Sequence, residues 1–228
     1  MIRRLAAVPR DAFHLSLMLA LTFSTGVIDA VGYLGLDRVF TGNMTGNVVI
    51  LGMAIVGADD LPVLGPVLAL AGFLAGAALG GRVLKSAGPG WTRATTMLFS
   101  IVAAVILSIA AVMVVLDDDL ERPTALAITT MLGAAMGVQA ATARFIAVKD
   151  VTTVVVTSTI TGLAADSVLG AGTGKGHSLR RVSAVLLILA GAATGAALLK
   201  WELAAGLVLS GLITLVVTVL GAVHARHS

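Results

Sequence analysis

The chain has 228 residues, of which 58% are hydrophobic and 12% are charged, about half the charged share of a soluble domain. This composition indicates an integral membrane protein and excludes a soluble catalytic domain, and the absence of cysteine excludes disulfides and thiolate metal sites. The net charge of +3 comes from basic residues in short loops, where they orient a chain in a bilayer, so it does not indicate nucleic-acid binding.

Eight apolar segments follow one another along the chain, at about 13–36, 39–57, 61–82, 94–116, 124–147, 151–172, 182–199 and 203–223. They lack the alternation of a barrel strand and approach the roughly 20 residues of a membrane helix, so we expect helices. The first segment continues past Gly35 without a cleavage site, so we interpret it as a retained helix rather than a signal peptide. We expect one membrane domain over residues 1–228.

Charged residues between the segments predict the orientation. Basic residues dominate both terminal tails, the 82–93 loop and the positions around Lys149 and Lys175, whereas acidic residues dominate the loop at 117–121. The positive-inside rule therefore places both termini in the cytoplasm.

Two segments do not fit a simple crossing pattern. Three segments lie between the N-terminal tail and the 82–93 loop, and one lies between Lys149 and Lys175, although all of these flanks are predicted to be inside. An even number of crossings has to separate two loops on the same side. We therefore expect segments 39–57 and 151–172 to be re-entrant or deeply broken helices, which gives an all-α membrane protein with six transmembrane helices besides these two.

The same two segments share a polar pattern, T-x-x-x-T-G. The second segment contains VFTGNMTGNVVILG and the sixth contains VVTSTITGLAADSVLG, and aligning Thr45 with Thr161 also pairs Thr41 with Thr157. The second copy continues with leucine, so Asn47 has no polar counterpart. Polar, glycine-broken segments persist at membrane depth only where they are buried in protein or line a wet cavity.

Further similarity between the halves predicts an internal repeat. TGVIDAVGYL resembles MGVQAATARF, which pairs Thr25 with Met136. Each half holds three spans, so the second half, at about 124–223, is expected to be inverted relative to the first, at about 13–116. Inverted repeats whose broken helices meet near the midplane are typical of transporters.

Glycine rows recur in both halves. AGFLAGAALGG resembles AGAATGAALLK, which pairs Gly72 with Gly191 and Gly76 with Gly195. This spacing predicts close helix packing within the chain or between subunits, so a homodimer through these faces is a default expectation.

Asp29 is the first candidate functional residue, because a carboxylate inside a span costs a few kcal/mol and usually faces a cavity or a partner. Proton coupling and cation coordination are two functional interpretations. The alternative is a structural carboxylate that accepts hydrogen bonds from the neighbouring Thr/Asn segment.

Other candidate binding residues come from the two polar segments and from the fourth full span. They are Thr41, Asn43, Thr45, Asn47, Gln139, Thr157, Thr159, Thr161 and Asp166. A helix that starts near Asn43 would present free N–H groups to an anionic or carbonyl-bearing solute; the alternative is polar contact between helices. Arg144 is either an interfacial anchor or charge compensation for a buried carboxylate.

The remaining polar and aromatic residues suggest no metal or cofactor. The four histidines lack metal-binding spacing and fall at predicted helix ends or loops. Trp91 and Trp201 fall at predicted membrane interfaces, where tryptophan is enriched.

The motif GVIDAVGYLGLDRVFTGNMTGNVVILG, with MGVQAATARF and TTVVVTSTITG downstream, resembles the YoaK-like family of small bacterial membrane proteins. The resemblance extends over about residues 15–220. It implies a multi-span protein of the bacterial cytoplasmic (inner) membrane and assigns no substrate.

These features favour a small-solute transporter that alternates access around the two broken helices, with proton coupling through Asp29. A passive channel of the same architecture and a non-transporting assembly partner are the alternatives. A membrane-embedded aspartyl enzyme would need two facing carboxylates, for which only Asp29 and Asp166 qualify, and neither lies in a protease motif. We therefore expect no enzymatic activity.

Overall fold

The structure is a computed structural model that describes residues 9–116, 120–146, 156–165 and 175–227. These ranges contain no strand and form eight helices: α1 (Arg10–Gly35), α2 (Met44–Ile55), α3 (Leu64–Leu84), α4 (Arg93–Leu116), α5 (Arg122–Ile146), α6 (Val156–Ala165), α7 (Lys175–Leu198) and α8 (Leu203–His227). The predicted all-helical fold is confirmed for the described part of the chain.

Six of the helices, all except α2 and α6, are long and apolar enough to cross a membrane. The α2 helix has 12 residues and the described α6 has 10. At 1.5 Å per residue these are about 18 and 15 Å long, well short of the roughly 30 Å hydrocarbon core. The six predicted spans are therefore confirmed, and the two polar segments contain the short helices.

Glycines bring α3 and α5 into close parallel contact. A Cβ added to Gly72 would collide with the carbonyl of Thr130, and one added to Gly76 would collide with the carbonyl of Ala134. Because the contacting residue numbers rise together, the two helices run in the same direction. Helices in a bilayer pack most closely where small residues let the backbones approach.

A second parallel pair, α1 and α7, is built in the same way. Gly191 lies against the Phe23 carbonyl and Gly195 lies against the Val27 carbonyl, again without room for a methyl group. The predicted packing role of the glycine rows is thus confirmed, and these rows are used within one chain.

The α8 helix runs antiparallel to α1. The hydroxyl groups of Ser24 and Ser210 are hydrogen-bonded, and the rings of Phe13 and His224 stack with their centroids 4.1 Å apart. Residues from α1, α4, α5 and α8 form the main apolar core, which includes Ile28, Val31, Ile106, Leu132 and Leu207.

The α4 helix also runs antiparallel to α8. A Cβ on Gly211 would lie 2.6 Å from the side chain of Leu107, and Gly221 faces the ring of Trp91, just before α4. Since both α1 and α4 oppose α8, α1 and α4 run in the same direction.

Two aromatic side chains near helix ends are buried in the protein. Trp91, just before α4, is 9% exposed, stacks on Phe99 with centroids 5.4 Å apart, and fits against Gly221 because that residue has no side chain. His224 is likewise buried, in the last turn of α8, where the sequence places it. Trp201 is exposed, as expected.

Candidate functional site

The carboxylate of Asp29 binds three consecutive backbone N–H groups. Its Oδ1 atom accepts hydrogen bonds from Thr41 (3.1 Å), Gly42 (2.7 Å) and Asn43 (3.3 Å). Successive N–H groups that converge on one oxygen form a concave anion site, here occupied by the protein's own carboxylate. Charge-assisted hydrogen bonds of this kind are stronger than neutral ones, so Asp29 fixes the loop that precedes α2.

A sharp reversal after α1 brings this loop back to Asp29. Asp37 and Arg38 have φ angles of 60° and 56°, in the left-handed region that non-glycine residues rarely adopt. The chain then passes close to Gly32, where an added Cβ would lie 2.5 Å from the carbonyl oxygen of Val39. Residues 39–43 therefore run back along α1.

Gly42 wedges the loop between α1 and α5. A Cβ at this position would lie 3.0 Å from Thr25 Cγ2, 3.2 Å from Met136 Cε and 3.4 Å from Asp29 Oδ1. A methyl group here would be tight against all three side chains, so the loop packs closely between α1 and α5.

Asn47 ties α2 to the same loop. Its side chain is fully buried; its Oδ1 accepts a hydrogen bond from the Phe40 N–H at 2.8 Å, and its Nδ2 donates to the Phe40 carbonyl. Asn43 caps the start of α2 by accepting a hydrogen bond from the Gly46 N–H at 3.3 Å. Within the motif, these two asparagines hold the helix and loop together.

Gln139 of α5 reaches α1 at Thr25. Its Nε2 donates to the Thr25 hydroxyl oxygen at 3.3 Å, while that hydroxyl donates to the carbonyl of Leu21. Because the Thr25 hydroxyl donates its proton to Leu21, it can only accept a hydrogen bond from Gln139. The Oε1 atom of Gln139 therefore makes no hydrogen bond to Thr25.

Two buried polar atoms in this region have no hydrogen-bond partner within the described ranges: Thr41 Oγ1 and Gln139 Oε1. Thr41 adjoins Gly42, which approaches Thr25, and Gln139 bonds to Thr25. The Thr41 side chain lies against Gly32, so the two atoms lie on either side of Asp29 along α1. Buried polar groups are normally hydrogen-bonded, so each of these two oxygens can still accept a hydrogen bond from a ligand or coordinate one.

Polar side chains continue along the facing sides of α1 and α5. Thr22, Thr25 and Asp29 are buried at helical spacing on α1, and Gln139 and Thr142 are buried on α5. These helices touch only over a short stretch, whereas each packs extensively on other helices. The polar residues therefore follow the shallow contact between α1 and α5.

A cavity of about 840 Å³ lies at the end of the molecule where α1 ends and α3 and α5 begin. Charged residues on its wall are Asp37, Asp60 and Arg122. Leu36 also lines it and follows Asp29 by seven residues, about 10 Å along a helix.

Residues 17–220 match the family described as "Protein of unknown function (DUF1275)". The chain belongs to this family. It is also 30% identical over 156 residues to the UPF0700 transmembrane protein YoaK of Bacillus subtilis (strain 168), a match that covers 68% of each chain. No solved structure matches it significantly. The resemblance seen in the sequence is confirmed, and this DUF1275 protein is a multi-pass membrane protein.

The first polar segment of the DUF1275 protein does not place its four candidates on one surface. Thr41 and Asn47 are buried, whereas Asn43 and Thr45 are exposed. The N–H groups that we expected to receive a solute are bonded to Asp29 instead. Arg144 is exposed near the end of α5, which fits an interfacial anchor.

The second polar segment lies apart from this site in the described structure. Its helix α6 packs on α7 and makes no contact with α2 in the described ranges. Thr159 is buried and Thr161 is exposed. The Thr157 side chain and Asp166 lie outside the described residues, so those two candidates stay predictions.

Sequence reasoning missed Thr25, Met136 and Thr142. Thr25 precedes Asp29 by one helical turn and therefore shares its face, a signal that was present in the sequence. Met136 and Thr142 gave no comparable signal, because their importance depends on where the loop around Gly42 meets α5.

Proposed function

We propose that this protein is a small-solute membrane transporter whose binding region lies where the loop 39–43 meets α1 and α5. One observation carries the proposal: a buried carboxylate in a membrane span has on either side, at Thr41 and Gln139, a buried polar atom that lacks a described hydrogen-bond partner. Ionisable residues within spans usually mark substrate or ion pathways.

The packing of the helices supports an inverted repeat. If the halves are related, α1 corresponds to α5, α3 to α7 and α4 to α8. Exchanging the halves then turns the contact between α1 and α7 into that between α5 and α3, and the contact between α1 and α8 into that between α5 and α4. The contact between α4 and α8 is unchanged. All of these pairs are packed against each other. A chain without internal symmetry has no reason to keep every partnership under this exchange.

Individual glycines support the same exchange. A Cβ on Gly26 would collide with the carbonyl of Ile188, and a Cβ on its counterpart Gly137 would collide with the carbonyl of Phe73. This register pairs Gly191 with Gly76. The sequence alignment paired Gly191 with Gly72, which is one helical turn away from Gly76 on α3.

Helix directions support two re-entrant segments. Since α1 and α4 run in the same direction and the short loop at 85–92 reverses the chain between α3 and α4, α3 runs opposite to α1. The chain between α1 and α3, which contains α2, then begins and ends on one side of the membrane. Because α5 is parallel to α3 and α7 to α1, the chain around α6 begins and ends on the other side.

Proton coupling follows from the loop that Asp29 holds. A proton on the carboxylate would replace three charge-assisted hydrogen bonds with weaker neutral ones, which would loosen residues 41–43. Charge on Asp29 would thereby control whether the loop closes against α1 and α5. With both termini in the cytoplasm, the loop lies towards the outer side of the membrane.

The alternative functions have less support. The glycine faces are occupied by helices of the same chain, so an assembly partner or a homodimer would need a different surface. Among the described residues Asp29 bonds to backbone N–H groups and to no second carboxylate, and we propose no enzymatic activity. A passive channel shares the architecture and differs in having both ends open at once.

Accessibility of the contact between α1 and α5 tests the proposal. Single cysteines at Thr25 and Thr142 would be exposed to a small charged thiol reagent from either side of oriented proteoliposomes, with Ile106→Cys in the apolar core as the control. In a transporter both cysteines should react with reagent added on either side. A crosslink that traps one conformation should prevent the reaction from the side that this conformation closes. Simultaneous access would indicate a channel, and no reaction at either position would refute both.

A further inference from the structure

We infer that the region around Asp29 binds a small monovalent cation, either a bare alkali ion or a primary ammonium group. The inference names the ligand class of the proposed transport site and in that sense rests on the proposed function. Binding at equilibrium, however, does not require transport.

The charge at the site is the first argument. Asp29 is the only buried Asp, Glu, Lys or Arg side chain within the described ranges, and its described partners are neutral N–H groups. An ionised carboxylate away from water is costly without a compensating charge. A cation would supply that charge where no described side chain does.

The free carboxylate oxygen is the second argument. All three hydrogen bonds reach Oδ1, and in the described structure Oδ2 accepts none. An anionic solute is disfavoured, because the N–H groups that would hold it are already bound to Asp29. The carboxylate therefore presents an oxygen ligand rather than a set of donors.

The two buried atoms without a described partner are also oxygens. Gln139 Oε1 is an acceptor only, and Thr41 Oγ1 can accept through its lone pairs. Together with Asp29 Oδ2 they are acceptor oxygens around the loop at 39–43, and acceptor oxygens are what a cation or an ammonium group needs as partners.

The ligand set favours a monovalent rather than a divalent ion. The described ranges contain no group of three His, Cys, Asp or Glu side chains that can hold a metal. One carboxylate and neutral oxygens balance a single positive charge, whether it is that of an alkali ion or of an ammonium group.

Thermal unfolding of the purified protein in detergent tests the site. Sodium, potassium, ammonium and methylammonium chlorides would be compared at constant ionic strength with N-methyl-D-glucamine chloride, whose cation is too large. Saturating binding by one of the small cations should raise Tm by about 3–6 °C, since ligands that bind only the folded state stabilise it. A response to alkali ions alone identifies a bare ion, and one to the ammonium salts alone identifies an ammonium group.

Variants separate binding from general stabilisation. Asp29→Asn, Thr41→Val and Gln139→Leu should each reduce the cation-dependent shift by at least about half, because each removes charge or an oxygen ligand. Thr41→Ser should restore it. Thr214→Val is the control, because this hydroxyl is buried in α8 and donates to the Ser210 carbonyl of its own helix.

The outcomes distinguish the two proposals. Equal Tm values in all five salts, or an undiminished shift in Thr41→Val and Gln139→Leu, would overturn the cation site even if the cysteines at Thr25 and Thr142 show alternating access. A normal cation shift without cysteine access from either side would retain the site and refute transport.

Discussion

The Asp29 carboxylate accepts a 2.7 Å hydrogen bond from the backbone N–H of Gly42, thirteen residues further along the chain. This contact fastens the loop before α2 to the first span, and the same carboxylate is our candidate for proton coupling. The same side chain therefore has a structural role and a proposed coupling role. Two substitutions of Asp29 distinguish these roles.

Asp29→Asn should fold, because its amide oxygen can still accept from the three N–H groups, whereas Asp29→Leu leaves them without an acceptor. We expect Asp29→Leu to lose about 3 kcal/mol of stability or more, at roughly 1–3 kcal/mol for each unsatisfied buried donor. Thermal unfolding in detergent measures the difference. Similar Tm values for Asp29→Leu and the wild type would contradict a structural role for the three hydrogen bonds.

The folded Asp29→Asn variant then tests coupling and cation binding together, because it removes both the titrating group and the negative charge. In proteoliposomes with a trapped pH-sensitive dye, the wild type should move protons when a cation gradient is imposed, and Asp29→Asn should not, because an amide does not titrate. Thr214→Val serves as the matched control. Proton movement in Asp29→Asn at the wild-type rate would end the coupling hypothesis.

Asn47 and Thr45 belong to the same motif but should differ in their effect on stability. Asn47→Ala removes two hydrogen bonds to the Phe40 backbone and should cost about 2 kcal/mol, because a net hydrogen bond contributes roughly 1 kcal/mol. Thr45 is exposed, so Thr45→Ala should stay within about 0.5 kcal/mol of the wild type. Unfolding in increasing denaturing detergent compares them, and equal losses would show that the loop is not held by Asn47.

The spans were predictable because a bilayer imposes their length and polarity. Crossing parity also selected segments 39–57 and 151–172, which contain the 12-residue α2 and the 10 described residues of α6. Both inferences depend on lipid as the solvent rather than on tertiary detail. Helix partners were less accessible, since a glycine row indicates close packing without specifying which helix it meets.

The hydrogen bonds of Asp29 were only an alternative interpretation at the sequence level. They depend on the reversal at Asp37 and Arg38, which takes left-handed backbone at residues that rarely adopt it. Neither position is a glycine, so nothing in the sequence indicated this turn. The sequence thus identified the carboxylate and the loop separately, but the backbone geometry decided which atoms of the loop face it.

Gly76 and Gly81 lie on one helix and should respond in opposite ways to alanine. At Gly76 a methyl group would collide with the Ala134 backbone, whereas Gly81 has open space around it. Overpacking costs about 1–3 kcal/mol, so Gly76→Ala should lower Tm. Gly81→Ala should raise it slightly, because alanine favours a helix by roughly 1 kcal/mol over glycine. Comparable stability of the two variants would mean that α3 and α5 are not in close contact.

Membrane topology is the broadest test, and the absence of native cysteine makes it direct. Single cysteines would be placed at Ala58, between α2 and α3, and at Thr173, ahead of α7, and intact cells would be treated with a membrane-impermeant thiol reagent. If α1 and α3 run in opposite directions, Ala58→Cys should be labelled, and Thr173→Cys should react only after the cells are opened. With the N-terminus in the cytoplasm, protection of both cysteines in intact cells would mean that both polar segments cross the membrane fully. The halves would then be parallel, and the inverted repeat that supports transport would be lost.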